Sequence, residues 1–337
     1  YGGLLFAPNG YNFAIPLYNK STEKEPFFLC KRLDFDNFMF NYLKNNCTTE
    51  IEILQNTTVK KIVYTDTQAI VTTTNGDFSA NIVVAADGAN SIAARTIKQP
   101  ISKDKNEIIG YRAYFKNIKN IHNQYYIEIH FIKGILPGYF WIFPFKDGTA
   151  NVGFGMFNCM AKKRKIHIKQ MFETLLQTPT LKERFTDAEL IETSAKGFPL
   201  PLAHIGRKLY ANRLILTGDA AGLADPLTGE GVGNAIRSGR FAAEHIKNCI
   251  KSNDFSKTFN RNYQKAILKS LKKEIQIFKF IRTLVHPTFF LNLFIKQIVR
   301  DPKLYTYFIE GVNSHKKNKI ALIFGFLARF VFSYVFK

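Results

Sequence analysis

Acidic residues are scarce in this chain: 47 Lys and Arg stand against 26 Asp and Glu over 337 residues, a net charge of +21. Cysteine is scarcer, and Cys30, Cys47, Cys159 and Cys249 stand apart without C-x-x-C spacing. That excludes a disulfide-stapled scaffold and a thiolate zinc site, and it suits a reducing compartment. The seven histidines form no triad-like grouping, and the sequence offers no metal set. No basic stretch followed by an apolar one opens the sequence, so no signal peptide is visible in it, though truncation could hide one. Internal repeats and low-complexity linkers are absent. What remains is 46% hydrophobic, enough for a large core and for two domains.

The most informative stretch is Leu214–Arg240, LILTGDAAGLADPLTGEGVGNAIRSGR. An apolar run stops at Gly218–Asp219, and a loop with Asp225, Pro226, Gly229, Glu230, Gly231 and Gly233 follows. Apolar residues then recur three and four apart from Asn234 to Ile250, as on one face of a helix. A strand tipped by a carboxylate, then a glycine loop opening a helix, suits a polyhydroxylated ligand that bears negative charge. The carboxylate accepts from hydroxyls, while backbone N–H groups and the helix dipole face the anion. Gly229 and Gly231 would let the backbone lie against a flat ring.

Two further segments belong with it. Ile82–Ser91, IVVAADGANS, reads as a strand ending at Asp87–Gly88, with Asn and Ser able to cap the short helix that follows. Pro137–Pro144, PGYFWIFP, alternates so that Tyr139, Trp141 and Phe143 share one strand face. Alternation alone reads as a half-buried strand with these aromatics in a core. It also fits an exposed apolar wall with a hydroxyl and an indole N–H as polar handles.

Taken together, the three segments resemble FAD-dependent oxidoreductases of the para-hydroxybenzoate hydroxylase type, and most closely their geranylgeranyl reductase branch. The first resembles the second flavin-contacting motif, the second the "DG" motif, and the third the Pro-x-Tyr-x-Trp-x-Phe-Pro signature of the reductases. The resemblance implies that Asp219, after Gly218, holds the ribityl chain. Pro226, Gly229, Glu230 and Gly231 would line the isoalloxazine ring, Gly233 would be a further cofactor-binding residue, and Asp87 and Gly88 would close over the cofactor. Tyr139, Trp141 and Phe143 would line the substrate pocket. The segment CKRLDFDNF resembles the family's Arg-x-x-Phe-Asp stretch, which makes Arg32 a cofactor contact; a surface ion pair is the alternative. The implied chemistry is reduction of C=C bonds in a prenyl lipid or prenyl diphosphate, with NAD(P)H or ferredoxin as electron donor. Tyr139 and a flavin-bound water are both open as proton donor.

The sequence departs from that family in one respect. No G-x-G-x-x-G occurs, and the β-α-β unit that carries it in the family is not among these residues. The expectation is a truncated chain that binds FAD poorly unless the preceding segment is restored; the alternative is a degenerate protein that no longer holds a dinucleotide. Two rival functions stand beside the reductase. An aromatic monooxygenase or flavin-dependent halogenase is one, since GYFWIFP lies near a Trp-x-Trp-x-Ile-Pro signature. A non-catalytic membrane lipid-binding protein is the other.

The expected fold class is α/β: a doubly wound, Rossmann-like FAD-binding domain of the glutathione-reductase type, an inserted antiparallel β-sheet domain and C-terminal helices. Residues 1–105 and 197–250 are assigned to the FAD-binding domain, 106–196 to the β-rich substrate domain and 251–337 to a helical region. Strands are expected at Tyr11–Leu17, Phe27–Arg32, Val59–Tyr64, Ala69–Thr74 and Phe78–Ala86, with Asn75–Gly76 as a hairpin turn. Asp34 is expected to cap a helix running to Asn45. In the insert, strands are expected at Ile108–Phe115, Tyr125–Phe131, Tyr139–Phe145 and Thr149–Met156.

The basic excess has three readings: lysine-biased composition, attraction to an anionic membrane, or attraction to a diphosphate-bearing substrate. No nucleic-acid motif accompanies it, so no nucleic-acid partner is expected. Ile320–Phe336 is almost wholly apolar, with Arg329 inside it. A membrane span needs ~20 residues, and a central Arg would cost about 2.5–3.5 kcal/mol. An interfacial helix or a core helix is therefore expected instead. The implied location is the cytoplasm, with peripheral contact at the inner face of the cell membrane.

Overall fold

The computed structural model describes residues 2–17, 29–47, 51–99, 106–285 and 288–313. The chain forms two compact units, each gathered from separated stretches. Unit 1 takes Tyr1–Lys31, Ile109–Phe198 and Arg282–Lys337; unit 2 takes Arg32–Ile108 and Pro199–Ile281.

The first stretch of unit 1 gives strands β1 (Gly2–Phe6) and β2 (Asn12–Pro16). The first stretch of unit 2 gives helix α1 (Arg32–Asn46), strands β3 (Val59–Tyr64), β4 (Ala69–Thr73), β5 (Gly76–Ala80) and β6 (Val83–Ala85), and helix α2 (Ile92–Thr96). The chain then crosses into unit 1 along β7 (Glu107–Lys116). Strands β8 (Ile127–His130), β9 (Tyr139–Pro144) and β10 (Thr149–Phe157) follow, then helices α3 (Asn158–Lys163) and α4 (Ile168–Leu176) and strand β11 (Glu189–Leu190). It returns to unit 2 along β12 (Lys196–Pro201) and adds β13 (Tyr210–Ala211), β14 (Leu214–Leu216), α5 (Val232–Ser252) and most of α6 (Lys257–Val285). Helices α7 (Thr288–Arg300) and α8 (Pro302–Val312) complete the described part of unit 1.

Unit 1 is built on one large sheet in the order β11-β7-β10-β9-β8-β1-β2, with β12 beside β7. Its core face carries Phe140 and Ile142 from β9 and Val152, Phe154 and Met156 from β10, under Phe172 and Leu175 of α4. At the β1–β2 end, Phe13 packs with Leu291, Ile295 and Ile298, which recur along one face of α7.

Two sequence expectations need correction here. Residues 2–16 do not join the flavin-motif unit as 1–105 implied. They extend the sheet of unit 1, because β1 pairs in parallel with β8, Gly3 opposite Ile127 through Phe6 opposite His130. Nor is 251–337 one helical region, since α6 belongs to unit 2 up to Ile281.

Inside this sheet lies a charged group. Glu128 on β8 is buried, and Arg184 grips it with both arms: Nη1 donates to Oε2 at 2.5 Å and Nη2 to Oε1 at 2.8 Å. Arg184 also donates to the carbonyls of Lys119 and Asn120. His130 Nε2 lies 2.9 Å from Oε2 of the same glutamate, and its ring stacks on Phe6 with centroids 4.1 Å apart. Burial alone would push the Glu128 pKa up; the hydrogen bonds from Arg184 and His130 overcome it and hold it below the ordinary value.

Unit 2 has two three-stranded sheets, β13-β14-β6 and β3-β4-β5. Strand β14 is wholly buried and runs parallel to β6, Leu214 opposite Val83 through Leu216 opposite Ala85. Tyr263, Ile267, Leu271 and Ile275 fall four apart on α6 and pack into its core. Tyr263 Oη donates to the Leu216 carbonyl at 2.7 Å, tying α6 to the end of β14. The single strand expected over Phe78–Ala86 is two, β5 and β6. Arg32 opens a helix rather than closing a strand, and Phe27–Phe28 lie outside the described residues. Among the described residues no helix is long and apolar enough to cross a membrane; Ile320–Phe336 lies outside them.

Candidate functional site

The parallel pairing of β14 with β6 decides where the two acidic motifs go. Both strands end at the same sheet edge, so Gly218–Asp219 and Asp87–Gly88 leave it together, where open α/β sheets bind ligands. Thr217 N donates to Ala85 O at 2.9 Å and extends the pairing by one residue. The chain then turns at Gly218, whose φ of +53° suits glycine. Gly218 N donates to Ser238 Oγ on α5 at 3.0 Å, so the turn is pinned to the helix it precedes.

Asp219 is half-buried, and no hydrogen bond reaches its carboxylate within the described residues. Burial pushes its pKa up; the Arg32 charge pulls the other way and the Glu230 carboxylate adds to the rise. Facing it is Gly231, the N-cap of α5. A Cβ at Gly231 would stand 3.2 Å from Asp219 Oδ1, a tight approach that would press on the carboxylate. A partly desolvated carboxylate without a donor among the described residues, beside a helix whose N-cap is glycine, is arranged to receive hydroxyl donors.

The loop between them is closed on itself. Asp225 Oδ1 accepts from Leu227 N and Thr228 N, both at 2.8 Å, with Pro226 buried inside the turn. Gly229 N donates to Asp225 O and Asp225 N to Glu230 O. Gly229 is buried with φ +76°. The Glu230 side chain accepts from Gly233 N at 3.0 Å and so caps α5.

Asp87 serves a similar end. Its Oδ2 accepts from Ile92 N at 2.7 Å and Ala93 N at 3.3 Å, and Ser91 Oγ accepts from Ala94 N at 2.8 Å. Both side chains cap α2, and Gly88, with φ +72°, makes the turn between them. For Arg32 both readings have a counterpart. It pairs with Asp36 on the same helix at 3.1 Å, and its charge still bears on Asp219.

Tyr139, Trp141 and Phe143 lie in unit 1. The side chains between them, Phe140 and Ile142, are 0% exposed and form the core. The three aromatics occupy the opposite, half-exposed face, in a row with centroids 5.9 and 6.0 Å apart. The indole N–H is not a free handle, because Trp141 Nε1 donates to Asn151 Oδ1 at 2.9 Å on the neighbouring strand. Trp141 lies over its cross-strand partner Gly153, where a Cβ would come within 2.4 Å of the ring. Gly153→Ala is therefore expected to shift the emission of the chain's one tryptophan and to destabilise unit 1 by about 1–3 kcal/mol. Unchanged emission and melting temperature would count against this packing.

Two arginines carried no signal in the sequence. Arg207 is 6% exposed and donates from Nη2 to the carbonyls of Gln99 and Ala220, each at 3.2 Å, from beneath Gly222. It anchors the loop that starts at Asp219. Arg112 on β7 lies on the aromatic face beside Gly153.

Comparison with known proteins adds family context. Residues 106–197 match the geranylgeranyl reductase catalytic domain. A digeranylgeranylglycerophospholipid reductase from Methanocella arvoryzae is 29% identical over 81% of this chain and 68% of its own length. The chain spans about two thirds of the length of the curated relatives it matches most broadly. A solved geranylgeranyl bacteriochlorophyll reductase-like protein from Thermoplasma acidophilum superposes with a TM-score of 0.72 at 23% identity, covering 85% of this chain and 71% of that one. A flavin-dependent brominase superposes at 0.68 with 18% identity, covering 92% and 75%. At such identities these likenesses show the fold alone: mixed α/β.

Proposed function

We propose that this chain, which belongs to the geranylgeranyl reductase family, is an FAD-dependent oxidoreductase that reduces C=C double bonds of a geranylgeranyl-type prenyl lipid. The observation that carries the reading is the Asp219 carboxylate: partly desolvated, without a donor among the described residues, and faced by a helix start that a single Cβ would crowd. Those features fit FAD. Asp219 would accept from ribityl hydroxyls, and the closed loop of Pro226, Gly229, Glu230 and Gly231 would present backbone to the ring. The N-terminus of α5, with Gly233 in its first turn, would favour negative charge. Asp87 and Gly88 leave the same sheet edge, and Arg32 adds positive charge near Asp219. Bound flavin supplies the hydride equivalent, with NAD(P)H or ferredoxin as the electron source.

In this reading the substrate's hydrocarbon lies along Tyr139, Trp141 and Phe143. These side chains exclude water and hold the double bond still, which isolated alkenes need because they are weak electrophiles. Trp141 is fixed by Asn151 and Gly153 and gives a rigid surface; the Tyr139 hydroxyl is our choice of proton donor. The protein would work in the cytoplasm, touching the inner face of the cell membrane peripherally, and the net charge of +21 supports that contact.

The test is an anaerobic turnover experiment with photoreduced full-length protein. Geranylgeranyl lipids should restore the yellow spectrum without oxygen and yield a product with fewer double bonds. Oxygen uptake coupled to an aromatic substrate, with no anaerobic reoxidation, would overturn the reading in favour of monooxygenase or halogenase chemistry.

A further inference from the structure

The aromatic row has a polar neighbour that the reductase reading does not use. Arg112 lies two strands from Trp141, on the same face of the sheet. The strand between contributes Gly153, whose built Cβ would sit 2.4 Å from the Trp141 ring and 2.8 Å from the Arg112 Cβ. Two strand spacings put Arg112 about 10 Å from Trp141 at the backbone. The glycine between them lets the Trp141 ring lie flat on the sheet beside the base of the Arg112 side chain.

The guanidinium is held in place but not neutralised. Nη1 donates to the Ser194 carbonyl at 2.6 Å, and Cζ lies over the Tyr114 ring, 5.0 Å from its centroid. Ser194 is itself fixed, since its hydroxyl accepts from Tyr114 N at 2.9 Å. No carboxylate pairs with Arg112 among the described residues, and its Nε and Nη2 have no acceptor there. A half-buried, oriented arginine with an open donor edge is built to take an oxyanion, and the planar fork matches phosphate.

We propose that Arg112 binds the phosphate-bearing head of the prenyl substrate, so that the site selects phosphorylated prenyl lipids over free prenyl alcohols. The inference rests on the reductase reading for the chain beside it. The hydrocarbon takes the aromatic row, and the head group takes the guanidinium at its margin. Selection follows because a neutral hydroxyl is a weak acceptor for the open donors, whereas a phosphate takes stronger, charge-assisted hydrogen bonds.

The experiment compares geranylgeranyl diphosphate with geranylgeraniol as anaerobic oxidants of photoreduced, full-length protein. Arg112→Ala should raise KM for the diphosphate about 10- to 100-fold, with kcat little changed, and leave geranylgeraniol unaffected. Arg112→Lys should recover part of the loss. Inorganic diphosphate should inhibit the wild type competitively and Arg112→Ala weakly. Equal losses on both substrates, or none on either, would overturn the assignment. Should Arg112→Ala fail to fold, judged by Trp141 emission, Arg112→Gln takes its place with the same expectations. Should neither prenyl compound oxidise wild-type flavin, the reductase reading fails by itself. Calorimetric binding of inorganic diphosphate then decides Arg112: binding lost in the variant sustains the oxyanion role, and binding unaltered or absent in the wild type rejects it.

Discussion

Asp219→Ala should leave the full-length protein colourless while making the flavin-free form no less stable. Each charge-assisted hydrogen bond removed is worth about 1.5–3 kcal/mol, or roughly 10- to 100-fold in FAD affinity; losing two ribityl contacts would take the cofactor off during gel filtration. The opposite effect on the empty protein comes from burial. The carboxylate has lost part of its hydration and no donor within the described residues replaces it, so alanine removes a cost rather than a bond. The sign with pH agrees. Because the folded-state pKa is raised, the empty wild type should gain stability as pH falls through that pKa toward the ordinary carboxylate value, and the alanine variant should lose this dependence. Visible absorbance after gel filtration and calorimetric melting of the apo form check both halves. A yellow Asp219→Ala protein would refute the assignment of this carboxylate to the flavin, whereas a full-length wild type that stays colourless with excess FAD would favour a lipid binder that never used flavin.

The largest loss of stability should come from Arg184→Ala. Removing one partner of a buried ion pair typically costs about 3–5 kcal/mol, because the other charge is left buried without compensation. Here Glu128 would lose both arms of its clamp. Melting should fall by several degrees in Arg184→Ala, whereas a double replacement of Glu128 and Arg184 by apolar residues of similar size should recover much of it. Acid should act on the same group. The folded-state pKa of Glu128 lies below its ordinary value, so its contribution is complete above that ordinary value and is lost as pH falls through the lower one. Arg184→Ala should flatten that part of the acid-unfolding curve. A single variant melting like the wild type would show that the clamp adds nothing net.

What the sequence discloses is what depends on neighbours along the chain. β3 falls on Val59–Tyr64 because β-branched residues alternate there, and the β4–β5 hairpin turns at Asn75–Gly76, a local signal. The Gly218–Gly233 motif is legible for a related reason: a strand end, a carboxylate and spaced glycines follow one another directly. Distant pairing is silent by contrast. Nothing in GGLLF foretells β8 as its partner, and a parallel pair leaves no turn between its strands to read. Helix α1 starts at Arg32, ahead of the expected Asp34, with the Arg32–Asp36 pair spanning its first turn. The role of the Trp141 indole N–H was equally hidden, because it follows from the register that brings Asn151 alongside β9. Lone arginines are the extreme case. Arg112 and Arg207 take their meaning from carbonyls far along the chain, and no spacing announces them.

The way each unit is stitched from remote stretches bears on how the polypeptide reaches its native state during synthesis. β14, the central strand of its sheet, meets β6 only after the whole intervening segment has been made, and β1 waits for β8 before it gains a parallel partner. Neither unit can be completed in order on the ribosome: the α6 residues that fill one and the α7 residues that cover β2 are among the later ones to emerge. Such high contact order predicts slow, late consolidation and a long interval in which apolar strands stand uncovered. A nascent chain stalled before α6 should be digested by added protease throughout, and heterologous yield should respond to chaperone supply more than to changes in loop sequence.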